Sequence, residues 1–416
     1  MTNTWFSNMP SDWKITKLGS HFKCRNVKVD DTNYPPLSVT KQGILPQMDS
    51  VAKTDANDNR KQVLAGDFVI NSRSDRKESC GLSELTGSVS LINTVLYQTD
   101  ADYDKNYVGY LLKNYGFAEE FYRWGHGIVA DLWTTRWQEM KNIEIPLPPL
   151  KEQKLIFDFL TNRTSKIDQL ISNQEKQIDQ LKEYRQAIIT KAVTKGLDPN
   201  VPMKDSGIEW IGEIPNNVNV SSVKNFYDIT LGKMLQPKQE SENDTLEYYF
   251  CAANLGNDCL KTNDLKQMWF SVKEKEKYSL KRGDLLVVEG GDVASSSIIS
   301  TDVSNIYFQN SIHRVRPIHG LNEYLHYYLI FVKGSGYFDV NCNKATIMHF
   351  TKDKFSNLPF LIRNTEEQKK IVTFLNKEET KINRLISIKE KKIEFLTNYK
   401  KSLIYEYVTG KKRVSL

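Results

Sequence analysis

The chain has 416 residues, of which 39% are hydrophobic and 26% charged, and its formal net charge is +6. This composition excludes a collagenous, low-complexity or disordered protein, and the length allows two or three domains of the usual ~100–200 residues. The longest apolar stretch, Tyr324–Val332, is too short for a membrane span of ~18 residues, and Met1–Pro10 lacks the pattern of a signal peptide.

The cysteines are five in number and scattered, and they contain no Cys-x-x-Cys. This pattern argues against a disulfide framework and against a zinc cluster, so the chain is expected in the reducing cytoplasm. The five are Cys24, Cys80, Cys251, Cys259 and Cys342.

Residues 1–150 are predicted to form a first globular domain of the α+β class, with a net charge of −1. Phe68–Asn71 and Val89–Tyr97 are short apolar runs typical of strands, and Tyr107–Trp124 has the pattern of a helix. Gly66-Asp67 stands directly before the first of these strands and predicts a turn that leads into it.

Residues 151–196 are predicted to form one long helix with a net charge of +3. No Pro or Gly occurs from Lys151 to Lys195, and apolar residues recur at helical spacing. The stripe comprises Ile167, Leu170, Ile171, Ile178, Leu181 and Ile188.

Residues 197–215 contain three prolines, two glycines and two aspartates, a composition that predicts a linker. Residues 216–365 are predicted to form a second α+β domain. Its expected strands are Leu285–Glu289 and Ile306–Val315, and its expected helix is Glu323–Val332.

Residues 366–416 carry a net charge of +6 and repeat the first long helix. Glu367–Thr409 aligns with Glu152–Thr194 at a constant offset of 215, with 19 identities in 43 positions. Both stripes run close to heptads, which favours packing of the two helices against each other. The second stripe comprises Ile382, Leu385, Ile386, Ile393, Leu396 and Leu403.

The two globular segments also repeat each other. Met9–Phe22 parallels Ile214–Tyr227, and Gly66-Asp67 with its strand parallels Gly283-Asp284 with the strand after it. The chain is therefore predicted to consist of two pseudo-repeated halves, each a globular domain followed by a long helix.

This doubled arrangement closely resembles the specificity subunit of type I restriction–modification systems, over nearly the whole chain. The second half departs from the pattern: it has Val218 where the first half has Trp13, and no Pro-Pro before Glu367. The motifs that carry the resemblance are LSVTKQGILP (Leu37–Pro46), GDFVINSRSDRKESCG (Gly66–Gly81), WGHGIVADLW (Trp124–Trp133), IPLPPLKEQ (Ile145–Gln153), KDSGIEWIGEIP (Lys204–Pro215) and YEYVTGK (Tyr405–Lys411).

The resemblance implies two target-recognition domains, each reading one half of a split, asymmetric DNA site. It implies that the long helices pack as an antiparallel coiled coil, separate the domains and dock two methyltransferase subunits, which restriction motor-nuclease subunits join. The chain itself would be non-catalytic. S-adenosylmethionine, ATP and Mg are then expected on the partner subunits, and no cofactor or metal in this chain.

Candidate DNA contacts are polar residues in turns near the predicted strands, since Arg pairs with guanine and Gln or Asn with adenine. In the first domain they form three groups, a polar loop, an Arg-Lys pair and the stretch after a strand: Ser38, Thr40, Lys41 and Gln42; Arg60 and Lys61; Ser72, Arg73, Arg76 and Lys77. In the second domain they are Asn254, Lys281, Arg282, Asn310, His313 and Arg314.

Two other functions remain open from the residues alone. A pure coiled-coil scaffold or dimeriser would explain the helices but not the two matched domains. A self-sufficient DNA methyltransferase or nuclease would need motifs that the chain lacks: there is no phosphate-binding Gly-x-x-x-x-Gly-Lys-Ser/Thr loop, Asn33–Pro36 has the residues of an adenine-binding Asn-Pro-Pro-Tyr in the wrong order, and the six histidines show no metal spacing.

Overall fold

A computed structural model describes residues 4–47, 59–127, 133–256, 260–338 and 348–414. The chain divides into two compact units. Unit 1 consists of Met1–Glu175 together with Glu390–Leu416, and unit 2 is the continuous segment Lys176–Lys389.

Unit 1 combines short strands with helices, as the α+β prediction requires. Its helices before the first long helix are α1 (Leu18–His21), α2 (Lys105–Lys113), α3 (Tyr115–Arg123) and α4 (Trp137–Met140). Its strands are β1 (Lys14–Lys17), β2 (Phe22–Cys24), β3 (Lys28–Val29), β4 (Leu37–Val39), β5 (Ile44–Pro46), β6 (Arg60–Val63), β7 (Phe68–Asn71), β8 (Cys80–Leu82), β9 (Gly87–Val89), β10 (Asn93–Gln98) and β11 (Glu144–Leu147).

Unit 2 has the same mixed composition. The long helices are α5 (Leu150–Lys195) and α9 (Thr365–Val408), and between them lie α6 (Val272–Lys277), α7 (Asn322–Gly334) and α8 (Lys352–Ser356). The strands are β12 (Met203–Asp205), β13 (Glu213–Pro215), β14 (Asn219–Ser222), β15 (Tyr227–Leu231), β16 (Thr245–Phe250), β17 (Lys266–Phe270), β18 (Leu285–Val288), β19 (Ser296–Ile298), β20 (Ile306–Phe308), β21 (Ile312–Pro317) and β22 (Pro359–Ile362).

The main sheet has the same topology in both units. Its strand order is β2-β10-β7-β8 in unit 1 and β15-β21-β18-β19 in unit 2, with every pair antiparallel. A two-stranded pair, β1-β11 or β14-β22, accompanies each main sheet. The smaller sheets differ, because unit 1 has β3-β6-β9 and β4-β5 where unit 2 has β17-β16-β20. The two halves of the predicted internal repeat therefore share the topology of the main sheet and of the two-stranded pair beside it.

One of the two inner strands of each main sheet, β7 or β18, is buried on both faces. In β7, Phe68 and Ile70 enter one core cluster and Val69 enters another, as the two-residue period of a strand requires. In β18, Leu285 and Val287 likewise face one cluster and the alternate residues a second. These strands therefore read as continuous apolar runs in the sequence.

The Gly-Asp turns before β7 and β18 form as predicted. Gly66 and Gly283 adopt φ of +95° and +89°, a backbone region that suits glycine. Asp67 accepts hydrogen bonds from Arg25 Nε at 2.7 Å and from Leu64 N at 2.9 Å. Asp284 repeats this arrangement with Arg316 and with the backbone of Lys281.

The helix predicted over Tyr107–Trp124 is two helices, α2 and α3. The break lies at Asn114, which is extended and whose side chain accepts from Phe117 N, so that it caps α3. Two predicted strands are also divided. Tight turns, Ser90–Asn93 and Gln309–Ile312, precede β10 and β21 in the runs Val89–Tyr97 and Ile306–Val315.

Part of the segment 197–215, predicted as a linker, is folded within unit 2. Strands β12 and β13 pair as an antiparallel hairpin, and Ile211 and Ile214 are buried in the core of the unit. Its prolines and glycines therefore lie in turns next to short strands, and the segment also connects the first long helix to the second domain.

Each long helix contributes one part to each unit, and in both units the two parts run antiparallel. In unit 1, Phe159 lies against Tyr407, and Lys400 Nζ donates to Asp168 Oδ1 at 2.7 Å. In unit 2, Lys389 Nζ donates to Gln177 Oε1 at 2.5 Å, and Arg185 contacts Asn383. The residue number rises on one helix as it falls on the other.

The repeated Glu-Gln-Lys at the start of both helices has a structural cause. Gln153 is buried, accepts from Asp104 N at 2.7 Å and donates to Asp102 O at 2.8 Å. Gln368, at the equivalent position of the repeat, is buried too and accepts from Leu321 N at 2.9 Å. In each unit the glutamine therefore ties the first turn of the helix to the loop before a domain helix.

Ten of the twelve residues in the two predicted apolar stripes are buried or half-buried, and the other two are exposed. Leu170 and Leu385 are 44% and 46% exposed, because the stripe is narrower than the helical pattern suggests. The buried or half-buried positions are Ile167, Ile171, Ile178, Leu181, Ile188, Ile382, Ile386, Ile393, Leu396 and Leu403.

Candidate nucleic-acid interface

A polar cleft of about 670 Å³ opens in unit 1 between the tip of the β4–β5 hairpin and the turn after β7. It brings together candidates from three separate parts of the sequence: Ser38, Thr40, Lys41, Gln42, Arg60 and Arg76. It also includes polar residues that the sequence analysis did not select, namely Gln47, Asn71, Asp75, Ser79, Ser90 and Asn93.

The hairpin tip is held by its own hydrogen bonds. Thr40 Oγ1 donates to Gly43 O at 2.9 Å and accepts from Gln42 N at 3.2 Å, while Gly43 adopts φ of +137°. Thr40 therefore shapes the turn. Lys41 and Gln42 project from it as exposed side chains that can meet a phosphate or a base edge.

Arg73 and Arg76 follow β7, and both contact Asp75. Arg73 Nε lies 3.1 Å and Arg76 Nε 3.7 Å from its carboxylate oxygens. The side chain of Arg76 is 67% exposed and lines the cleft, so it is the better placed of the two for a base contact. Lys77 is drawn away from the cleft by an ion pair with Glu119 on α3.

Three candidates of unit 1 have structural contacts instead. Ser72 is buried with its Oγ 2.9 Å from Thr94 Oγ1. Arg60 and Lys61 belong to strand β6 and not to a loop. Arg60 is buried and donates to Ser88 Oγ at 2.8 Å, and Lys61 Nζ donates to Asn93 O at 2.6 Å. Burial lowers the pKa of both side chains. Ser72 and Arg60 are buried, Lys61 is half-buried, and all three are bonded within the domain, which argues against direct contact with DNA.

Three candidates of unit 2 are likewise buried and bonded within their domain. Asn254 is buried and its Oδ1 accepts from Cys251 N at 2.9 Å. His313 is buried, its Nε2 donates to Phe350 O at 2.8 Å, and burial lowers its pKa. Arg314 is buried and donates to Ser279 O at 2.7 Å. All three stabilise the domain.

The remaining candidates of unit 2 lie at two different ends of β18. Lys281 and Arg282 are exposed in the turn that opens the strand, whereas the cleft of unit 1 lies beyond the end of β7. Asn310 lies in the turn Gln309–Ile312, which has the same hydrogen bond as Ser90–Asn93 at the cleft. Of these three, Asn310 alone occupies the position that corresponds to the cleft.

Two residues missed by the sequence analysis lie next to that position in unit 2. Glu289 follows β18, as Ser72 follows β7, and its Oε2 lies 3.0 Å from His349 Nδ1. The backbone pairing Gly290–His349 corresponds to Arg73–Thr134 in unit 1. Extending the repeat from Gly66-Asp67 and Gly283-Asp284 by a few residues would have identified Glu289.

Part of the motif WGHGIVADLW, residues 128–132, lies outside the described residues, as do Cys259 and Cys342.

Among the residues that are described, one group, His21, Asp100 and Asp102, brings potential metal ligands within 4.8 Å of one another. Sequence spacing does not reveal it, because His21 and the aspartates lie far apart in the chain. His21 Nδ1 is 2.8 Å from Asp100 Oδ2 and Nε2 is 3.0 Å from Thr16 Oγ1, which accounts for the group as a hydrogen-bonded contact.

Within the described ranges, every helix is too short or too polar to span a membrane.

Comparison with known proteins gives a consistent result. A family model described as the type I restriction modification DNA specificity domain matches residues 131–182 and 215–398. The type I restriction enzyme MjaVIII specificity subunit of Methanocaldococcus jannaschii is 27% identical over 448 residues, covering 98% of this chain and 94% of that protein. The putative MjaX specificity subunit of the same organism is 29% identical over 294 residues, covering 66% and 61%. A solved chain from a study of type I R-M assembly and conformational transition superposes with a TM-score of 0.71 at 14% identity, covering 97% of this chain and 99% of that chain, which shows a shared fold.

Proposed function

The chain belongs to the type I restriction–modification DNA specificity family, and from this membership we propose that each of its units reads one half of a bipartite DNA site. It is a specificity subunit and not an enzyme. The family match favours this function over a coiled-coil scaffold and over a self-sufficient methyltransferase.

One observation supports an asymmetric site. The two main sheets have the same strand order, but the turns that follow β7 and β18 carry different side chains. Unit 1 has Arg73 and Arg76 there, whereas unit 2 has Glu289 followed by Gly290 and Gly291. Guanidinium groups donate and carboxylates accept hydrogen bonds, so the two turns offer different groups to base edges.

In unit 1, Arg76 supplies a paired donor for a guanine, and Gln42 and Asn71 supply amides for an adenine. Lys41 is placed for a phosphate. The cleft geometry supports these assignments because all four side chains line one opening.

Arg76→Ala and Arg73→Ala are expected to weaken binding to the recognised site by about 1–3 kcal/mol more than binding to random DNA if either makes a bidentate base contact. Arg76 should have the larger effect, since it lines the cleft. The measurement is competition binding at fixed salt with the recognised site and a scrambled duplex. Arg384→Ala, which changes an exposed arginine of α9 outside the candidate DNA contacts, is the control. An equal loss on both duplexes would make Arg73 and Arg76 phosphate contacts.

We further infer that two methyltransferase subunits dock on the chain, one on each unit, and that restriction motor-nuclease subunits join them. S-adenosylmethionine would then be bound by the former, and ATP and Mg by the latter. Exposed aromatic side chains at repeat-related positions on the long helices support two docking surfaces. Tyr184 in unit 2 and Tyr399 in unit 1 occupy equivalent positions of the helix repeat, and they are 54% and 49% exposed. Tyr399 also stacks on the exposed Phe395. Surfaces of this kind are typical of partner binding.

A further inference from the structure

An open apolar groove of about 640 Å³ lies on the long helices within unit 2. Its lining includes Tyr184, Ala192, Leu197 and Phe374. Three of these side chains are exposed despite their apolar character: Tyr184 at 54%, Leu197 at 43% and Phe374 at 37%. Contiguous exposed apolar residues around a concave surface are typical of a site for another molecule.

The internal repeat shows what this position holds in unit 1. In the alignment of the two long helices, Phe159 is the equivalent of Phe374, and Tyr407 is the equivalent of Ala192. The Tyr407 ring lies on Phe159, with centroids 4.5 Å apart and the planes inclined by 37°. The guanidinium of Arg163 lies 5.5 Å from the same Phe159 ring. In unit 1 the chain therefore covers this phenylalanine with its own aromatic and cationic side chains.

Unit 2 lacks both covering groups. Ala192 replaces the tyrosine, and Glu378 stands where unit 1 has Arg163. The phenylalanine side chain is kept and the ring that covers it is absent, so Phe374 remains exposed at the groove. The aromatic contact found in unit 1 shows that the repeated fold accommodates a ring at the equivalent place in that unit.

We propose that the groove of unit 2 receives an aromatic side chain of a methyltransferase subunit, so that the two docking surfaces are unequal and the first subunit binds to unit 2. This inference rests on the proposed function. An incoming ring can stack on Phe374, whereas at unit 1 the corresponding place is already occupied by Tyr407. Aromatic anchors seated in pockets dominate the affinity of protein interfaces, so this single difference separates the two binding steps.

Two variants of the full chain test the groove. Ala192→Tyr installs the ring that unit 1 carries, and Phe374→Ala removes the floor of the groove. Each is expected to weaken the first binding step at least tenfold. Ala192 is itself buried, so Phe374→Ala, at a more exposed position, keeps the test valid if the tyrosine is not accommodated. Tyr407→Ala is the reciprocal variant: it opens the groove of unit 1 and should bring the second dissociation constant closer to the first.

The readout is the pair of stepwise dissociation constants for the modification subunit of the same system, measured by native mass spectrometry and calorimetry. Thermal unfolding of each variant reports whether it is folded. When the chain and the methyltransferase subunit are mixed in equimolar amounts, a photoreactive residue in place of Tyr184 should cross-link the bound subunit with a higher yield than a photoreactive residue in place of Tyr399. Equal cross-linking, or unchanged constants in a folded Phe374→Ala chain, overturns the inference. Self-association of the chain that Phe374→Ala abolishes also overturns it, in favour of a second copy as the occupant. A wild-type chain that binds no methyltransferase subunit contradicts the proposed function instead.

Discussion

Asp284→Ala is expected to lower the free energy of unfolding of unit 2 by about 3 kcal/mol, the usual cost of leaving one member of a buried ion pair without its partner. Asp284 is 1% exposed and accepts from Arg316 Nε and Nη2, each at 2.7 Å, and from Lys281 N at 3.0 Å. The carboxylate raises the pKa of Arg316, and an arginine side chain is effectively always protonated in proteins, so its charge is left without a partner when the aspartate is removed. Hydrogen exchange in β18 and β21, together with urea unfolding, measures the loss.

The corresponding change in unit 1 is Asp67→Ala, which removes the paired contacts to Arg25 and should destabilise that unit by a similar amount. Asp302→Ala is the matched control, because Asp302 is an exposed aspartate of unit 2. Its effect should stay within about 0.5 kcal/mol. A loss at Asp302 as large as that at Asp284 would refute the role given to the Gly-Asp turns.

Leu160→Ala and Leu375→Ala should each reduce the free energy of unfolding by about 2–5 kcal/mol. These leucines occupy equivalent positions on the two long helices, and both are completely buried in the core of their own unit. Truncation removes apolar contacts and leaves a cavity, while helix propensity favours alanine slightly. Urea unfolding followed by circular dichroism is the appropriate measurement.

Leu170→Ala and Leu385→Ala form the control pair, since they make the same chemical change on the same two helices at exposed positions. Their expected effect is within about 0.5 kcal/mol. If the exposed pair were as sensitive as the buried pair, the long helices would bury these leucines and the assigned stripe would be wrong.

Much of the fold follows from the sequence, and the exceptions have a common cause. Both long helices begin and end close to the ends of the segments Lys151–Lys195 and Thr365–Thr409, because these contain no Pro or Gly that would interrupt the helical hydrogen bonds. Strand Phe68–Asn71 is confirmed at both ends. The breaks at Asn114 and before β10 and β21 were missed because they depend on capping and turn hydrogen bonds, which apolar periodicity does not report.

The candidate site was less predictable. Lys41, Gln42 and Arg76 could be selected because turn residues project from the chain. Arg60 and Arg314 could not be excluded, since their burial comes from acceptors far away in the sequence, at Ser88 and Ser279. A polar side chain has the same identity in a binding surface and in a core, and only its tertiary partners distinguish the two.

The chain segments that form each unit also determine the order in which the two units can be completed during synthesis. Unit 2 is continuous, whereas unit 1 needs the segment that starts at Glu390. At ~5–20 residues per second, roughly 10–40 s separate the emergence of Glu175 from that of Glu390. Until the rest of this segment has been made, the Tyr107 hydroxyl lacks its acceptor, the carbonyl of Val408, and Asp12 lacks its donor, Arg413. A premature stop near Glu390 would therefore damage the domain that was made first and spare the one made last.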